Sequence, residues 1–293
     1  MSNVISLSDQ VRESFDFEID KFRLQGPDNM KTPFYGLFRS DNMEAVGKPC
    51  SKIYVPHTTD DVIALVEAAE TAFDDTIEVK CHFRDGHYVS IAPSDNHRRS
   101  IANTKDGIFP RMMIRAGYDG RAFSATMGYY RDLCSNLSMM RKVRGTNVSI
   151  RHTSGLRANM NELIDTLSVL RESWDSLMNV IEAMEQRTVN MTSFLDSIYG
   201  TPDADASQNS VTRHKNRTEA IFKRLWREQS ALGQPQMSEA NGWQTNAWLA
   251  YNAVQGYVQH DAPGKKSHNG TFDRILRASS DRAVQQAEAI LTA

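Results

Sequence analysis

Cationic and aromatic side chains alternate through the middle third of the chain: Arg98, Arg99, Arg111, Arg115, Tyr118, Arg121, Phe123, Tyr129, Arg131, Arg141, Lys142, Arg144, Arg151 and His152. Guanidinium and ammonium groups neutralise phosphates, and aromatic faces stack on unpaired bases at roughly 1–3 kcal/mol per base with little regard to which base it is. That mixture is suited to holding a single strand. Residues 97–161 carry 12 Lys+Arg against 3 Asp+Glu, whereas residues 1–96 carry 9 against 17 and residues 162–210 carry 2 against 9. The net charge of −2 therefore conceals one strongly basic block between two acidic ones. The competing reading is that the flanking carboxylates neutralise these cations inside the fold. Tyr129 and Tyr130 are neighbours on a strand and point to opposite faces, so at most one can meet a ligand. Tyr129 is assigned to the ligand, with Tyr118 and Phe123 as further stacking candidates.

Other chemistries find little support in the spacing. Gly264-Lys265-Lys266-Ser267 resembles the end of a phosphate-binding loop, but the motif needs a glycine at position 259, which is Gln259. His82, His87 and His97 lack metal-ligand spacing and a nearby cysteine partner, so they read as ordinary strand and loop histidines. A two-metal nuclease needs converging carboxylates, and the basic block offers only Asp106, Asp119 and Asp132. No G-x-S-x-G nucleophile elbow occurs. No catalytic residue, metal or cofactor is therefore assigned, and the chain is not expected to be an enzyme. Cys50, Cys81 and Cys134 are too scattered for a disulfide framework or a zinc knuckle.

These side chains must be positioned by an α+β fold. A Ser cap at Ser6 or Ser8 precedes Val11, Phe15, Ile19 and Phe22 at helical spacing. Runs 34–39 and 52–55 read as strands of a hairpin with Ser40-Asp41-Asn42 at its turn. Thr58 or Thr59 caps a helix with the stripe Val62, Leu65, Val66, Ala69, Phe73. Runs 76–83 and 87–92 flank the turn Arg84-Asp85-Gly86, and 109–116 and 121–130 flank Gly117 to Gly120. Along 111–116, period two puts Arg111, Met113 and Arg115 on one face and Met112, Ile114 and Ala116 on the other. Leu156, Met160, Leu163, Leu167, Leu170, Trp174, Leu177, Ile181 and Met184 then repeat at alternating four and three, which predicts one straight helix of about 45 Å at 1.5 Å per residue. Such a seam packs on its own sheet or pairs between subunits. Residues 201–211 are small and polar and read as a linker, dividing an α+β domain (1–200) from a helical one (212–293). Helices are expected over 213–229, 243–259 and 271–291. No stretch approaches the roughly 20 apolar residues of a membrane helix, and MSNVISLSDQ lacks the order of a secretory signal, so a cytoplasmic location is expected.

The order of motifs also resembles a family of phage/plasmid-like proteins known as domain of unknown function 932. The resemblance rests on Gly36 to Asp41, Tyr118-Asp119-Gly120-Arg121, Arg131 to Asn136, Ser149-Ile150-Arg151-His152-Thr153, and Trp248 to Val258. It departs from the family pattern at Gly117 and at Gln255-Gly256. The resemblance implies a mobile-element protein with no established catalysis. The order of hairpins, long helix and helical tail is also similar to single-strand annealing recombinases, which pack a curved antiparallel sheet on a long helix and assemble into rings or filaments. The expected fold is thus an antiparallel sheet of hairpins on a long α-helix, followed by a helical C-terminal region. The expected function is binding and ATP-independent annealing of single-stranded DNA by a homo-oligomer in phage or plasmid recombination. The alternatives are a non-catalytic mobile-element protein that engages a host defence complex, and a nuclease.

Overall fold

A computed structural model describes residues 6–73, 77–83, 86–93, 98–100, 106–118, 120, 122–131, 137–138, 147–153, 155–263, 278 and 280–292. The chain is a mixed α+β protein with antiparallel sheets and a helical C-terminal region. It divides into two compact units. The first holds Met1–His97, Pro110–Met127 and Asn147–Ser173, and the second holds Arg98–Phe109, Gly128–Thr146 and Trp174–Ala293.

In the first unit Ser6 caps α1 (Leu7–Ser14), its hydroxyl accepting from the Asp9 amide at 3.1 Å. The helix does not continue through Ile19 and Phe22 as their spacing suggests. Phe15 is buried, and the Thr59 hydroxyl, 3.2 Å from the carbonyls of both Phe15 and Phe17, draws the exiting chain into an extended path. Ile19 and Phe22 accordingly lie in β1 (Ile19–Gln25), which pairs with β2 (Lys31–Arg39), itself paired with β3 (Ala45–Cys50). The turn after Arg39 forms where expected, with Glu44 donating its amide to Asn42 Oδ1 at 2.8 Å. The partner strand is Ala45–Cys50 and not 52–55. One reason is Gly47, which has φ +66 and where a Cβ would stand 2.1 Å from the Tyr118 carbonyl oxygen. Only glycine tolerates both the left-handed backbone and that approach.

The helix α2 (Thr59–Phe73) matches its sequence signature closely. Thr58 Oγ1 accepts from the Asp61 amide at 3.2 Å while Asp61 Oδ2 accepts from the Thr58 amide at 2.8 Å, a reciprocal cap that satisfies two amides at the helix start. The stripe Val62, Leu65, Val66, Ala69 and Phe73 is buried.

The main sheet runs in the order β10 (Asn147–Ile150), β8 (Phe123–Arg131), β7 (Gly107–Gly117), β5 (Gly86–Pro93), β4 (Ile77–Phe83), with β6 (Arg99–Ser100) on β7 and β9 (Leu137–Ser138) on β8. Both expected hairpins form. In the first unit, Val89, Ile91, Met112, Ile114, Phe123 and Ala125 share one core with α2 and with Leu156 and Met160 of α3 (Leu156–Asp165). The expected straight helix is divided at Thr166 into α3 and α4 (Leu167–Gln186). Thr166 Oγ1 donates to the Glu162 carbonyl at 3.0 Å alongside the Thr166 amide at 3.1 Å, a doubled bond of a kind that often bends helices. The described members of the heptad seam are buried within their own chain, Leu156, Met160 and Leu167 in the first unit and Trp174, Leu177, Ile181 and Met184 in the second.

The second unit is mainly helical. After Gln186 come β11 (Thr188–Asn190), α5 (Met191–Tyr199), α6 (Gln208–Ala231), β12 (Gln244–Asn246), α7 (Ala247–Gly256), a π turn (Tyr257–Asp261) and α8 (Arg282–Leu291). Every residue of α7 is buried, so the core forms around it. Residues 201–211 lie inside this unit, because α5 and α6 contribute to the same core and Ser207 already caps α6, its hydroxyl accepting from Ser210 at 3.3 Å. Of the last expected helix, the described part is Arg282–Leu291 with isolated helical positions before it. Among the described residues, no helix is long and apolar enough to cross a membrane.

Candidate nucleic-acid interface

The strand β7 is buried on both faces, and this removes the cationic face that period two predicts. Met113 and Arg115 are buried alongside Met112, Ile114 and Ala116. Arg115 is 9% exposed, lies opposite Tyr88 on β5, and holds its guanidinium carbon 5.9 Å from the centre of the Tyr88 ring. Arg111 is half-buried and Arg151 exposed. Arg121, Arg141, Lys142 and Arg144 lie outside the described residues.

The three stacking candidates are corrected by their burial, since a ring without an open face cannot receive a base. Phe123 faces the core under α2, and Tyr118 is held by its hydroxyl, which donates to the His57 carbonyl at 3.0 Å. Tyr129 is 0% exposed and sits 5.2 Å from Trp248 within the second unit. Tyr129 and Tyr130 do lie on opposite faces of the strand, but the open member of the pair is Tyr130, which is half-buried.

Arg131 is also corrected, from a phosphate contact to a buried anchor. It is 0% exposed, and its Nε donates to Asp106 Oδ2 at 2.7 Å while Nη1 donates to Glu228 Oε2 at 2.9 Å. Its guanidinium carbon lies 5.2 Å from the centre of the Trp248 ring. Desolvating this cation is costly, and two carboxylates offset the cost. The geometric result is that α6, which carries Glu228, is docked on the end of β8.

What remains open in the second unit is a smaller patch around the end of β8. Arg98 is exposed and holds its guanidinium carbon 5.5 Å from the centre of the half-buried Phe109 ring, and Phe109 lies 6.5 Å from Tyr130. Arg99 is exposed and pairs with Asp175 at 2.7 Å, a solvated contact worth at most about 1 kcal/mol and easily exchanged for a phosphate. The helix docked beside it, α6, has six Lys and Arg against two Glu, one of them Glu228 in its buried pair. Lys223 and Arg227 are exposed near its C-terminal end. Phe109 and the α6 cations were not singled out from sequence. Their signal, a basic C-terminal region and an aromatic opposite Tyr130, was weak beside the denser block in the middle of the chain.

His152 goes elsewhere, into a buried cage in the first unit. His57 Nε2 and His87 Nδ1 are 2.7 Å apart, the His57 ring stacks on Tyr118 with centres 4.3 Å apart, and His152 stacks on Tyr54 at 5.1 Å. Burial holds His57 well below the ordinary histidine range and pushes His87 down to about 3, while it pushes the Tyr118 phenol up. His57 and His87 are therefore neutral near pH 7. Among the described residues, no group of three or more His, Cys, Asp or Glu is placed to hold a metal ion.

The described chain is thus an α+β protein with antiparallel sheets, a helical second unit and an open cation–aromatic patch. Residues 45–291 match the family described as Domain of unknown function (DUF932), and the chain belongs to that family. No curated protein and no solved structure matches it. Two stretches that carry the resemblance, those with Tyr118 and His152, meet in the histidine cage, and a third, Trp248 to Val258, makes the centre of the second core.

Proposed function

We propose that this protein binds single-stranded DNA on the second unit and, as a homo-oligomer, anneals complementary strands without ATP during phage or plasmid recombination. The observation that carries the reading is the juxtaposition of Arg98, Phe109 and Tyr130 at the strand ends. Half-open rings accept unpaired bases, and the neighbouring Arg98 and Arg99 neutralise the backbone. The buried Arg131 holds these parts together without touching the strand. Annealing needs bases displayed over more length than one copy offers, which is why several copies are part of the proposal.

Fluorescence anisotropy with a labelled single-stranded oligonucleotide tests it. Affinity falls with salt at a log–log slope of about −0.7 per phosphate neutralised. Phe109→Ala or Tyr130→Ala costs about 1–3 kcal/mol per stacked base, and Arg98→Gln with Arg99→Gln lowers the salt slope. Unchanged affinity in all these variants would overturn the proposal.

A second reading, a non-catalytic interaction protein, draws on the three-stranded sheet of the first unit. Phe22 faces Gly36 across β1 and β2, so Phe22, Phe34 and Phe38 share one face, on which Phe22 is 47% and Phe34 is 55% exposed. That reading is favoured if Phe22→Ser with Phe34→Ser abolishes biological function while oligonucleotide binding persists.

A further inference from the structure

A cleft in the second unit points to a ligand of its own. A cavity of about 700 Å³ opens between the end of α5, the middle of α6, the π turn and the first turn of α8. A second cavity of about 380 Å³ adjoins it, and both are lined by Tyr199, Gly200 and Arg217. These volumes suit a small organic ligand. Arg217 stands where the two meet, its guanidinium carbon 4.3 Å from the centre of the Tyr199 ring. Arg282 lines the first cavity and Arg213 the second. Among the described residues, none of these three guanidiniums has a hydrogen bond or ion pair. That contrasts with Arg224 on the same helix, which pairs with Asp261 at 2.7 Å.

Among the described residues, two polar atoms beside the cleft are unpartnered. The Tyr199 hydroxyl and His214 Nε2 are buried without a hydrogen-bond partner among the described residues, and burial pushes the Tyr199 phenol up, so it stays a neutral donor. Both atoms are closed to solvent and lie behind the cleft wall, so the groups that face a ligand are the three guanidiniums. The walls also carry Asp196, Asp203 and Asp281, of which Asp281 caps α8 by accepting from the Ala283 amide at 2.8 Å. These carboxylates disfavour a bare anion and suit a ligand that brings hydrogen-bond donors along with its charge.

We infer that this cleft binds a nucleoside phosphate, its phosphate held by Arg217 with Arg213 or Arg282, its sugar and base donors facing the carboxylates, and its base lying against Tyr199 and Tyr257, which both line the first cavity. Planar guanidinium forks match phosphate oxygens two at a time, and aromatic walls match a base. The ligand is either a free nucleotide or the phosphorylated end of a strand, since both present the same chemistry. The inference does not depend on the annealing proposal, because Arg98, Arg99, Phe109 and Tyr130 are absent from the cleft walls.

Isothermal titration calorimetry of the full chain with deoxyadenosine monophosphate, deoxyadenosine and inorganic phosphate tests it. The monophosphate binds saturably, and the nucleoside and inorganic phosphate each bind at least about tenfold more weakly, since losing a charged hydrogen bond costs roughly 1.5–3 kcal/mol. Arg217→Gln weakens the monophosphate by roughly 10- to 100-fold, Arg217→Lys by less, and Arg98→Gln leaves it unchanged. Thermal melting of each variant separates loss of binding from loss of fold. Competition by a terminally phosphorylated oligonucleotide, and not by its unphosphorylated twin, identifies a strand end as the source, whereas no competition by either identifies the free nucleotide. The inference is overturned if the monophosphate shows no saturable binding, if a folded Arg217→Gln binds like the parent, or if inorganic phosphate binds as tightly as the nucleotide.

Discussion

His57 and His87 approach to 2.7 Å through ring nitrogens, a contact that requires one nitrogen to donate and the other to accept. Two imidazolium rings cannot face each other in this way, so the folded cage resists protonation. The unfolded histidines take up protons near their ordinary pKa of about 6.5, while folded His87 does so only near about 3. Below about pH 6.5 the unfolded chain therefore binds more protons than the native one, and stability falls as pH falls, by up to about 1.4 kcal/mol per pH unit for each such histidine. Urea midpoints at pH 7 and pH 5 measure this. His87→Gln flattens the dependence, and an equal slope in the variant would show that other groups set it. Arg131 is the second test at this scale. Arg131→Ala strands Asp106 and Glu228 in a closed core and costs about 3–5 kcal/mol by urea unfolding. A loss under about 1 kcal/mol would mean that the carboxylates are neutralised by something else. Neither role was legible from residue type. An arginine in a basic run and a histidine in a strand look alike whether they meet solvent or not.

Among the elements, α2 could be read almost completely in advance, because its cap, its acidic first turn and its apolar stripe are local in sequence and agree with one another. The hairpin of β4 and β5 was likewise legible. Its register depends on a contact that was not, between Gly86 and the distant end of β7. Gly86 has φ +153, and a Cβ there would lie 2.5 Å from the Ala116 carbonyl oxygen and 2.5 Å from Gly117 Cα. Gly86→Ala should destabilise the sheet by about 1–3 kcal/mol, seen as a lower thermal midpoint with loss of protection at β5 in hydrogen exchange. A midpoint equal to the parent would show that the strand ends shift freely. The strand β3 and the division of the long helix at Thr166 escaped the sequence reading for the same kind of reason. Each coincides with a hydrogen bond or a close approach that no hydrophobic period encodes.

At the scale of the whole protein, the annealing proposal requires assembly, and the heptad seam does not supply a free surface for it, since its described residues are covered within their own chain. Mass photometry with and without oligonucleotide should show larger species on addition of single strands. An annealing assay with complementary oligonucleotides and no ATP should show acceleration that Tyr130→Ala removes while its melting curve is preserved. A monomer that never enlarges and never anneals would leave only the interaction-protein reading.

The mixed α+β class, the two central hairpins, α2 and the helical C-terminal region were all legible from sequence, because periodicity, caps and turn residues act over a few positions. Family membership was legible too, from stretches of which Trp248 to Val258 is wholly buried. Which cations face water was not. The arginines of β7 and β8 look like a basic track in one dimension, yet a central strand is covered on both faces, and Arg131 meets Glu228 almost a hundred residues away. Exposure is set by what the rest of the chain places over a residue. The candidate interface therefore moved from Tyr129 and Arg131 to Tyr130 and Phe109, beside Arg98.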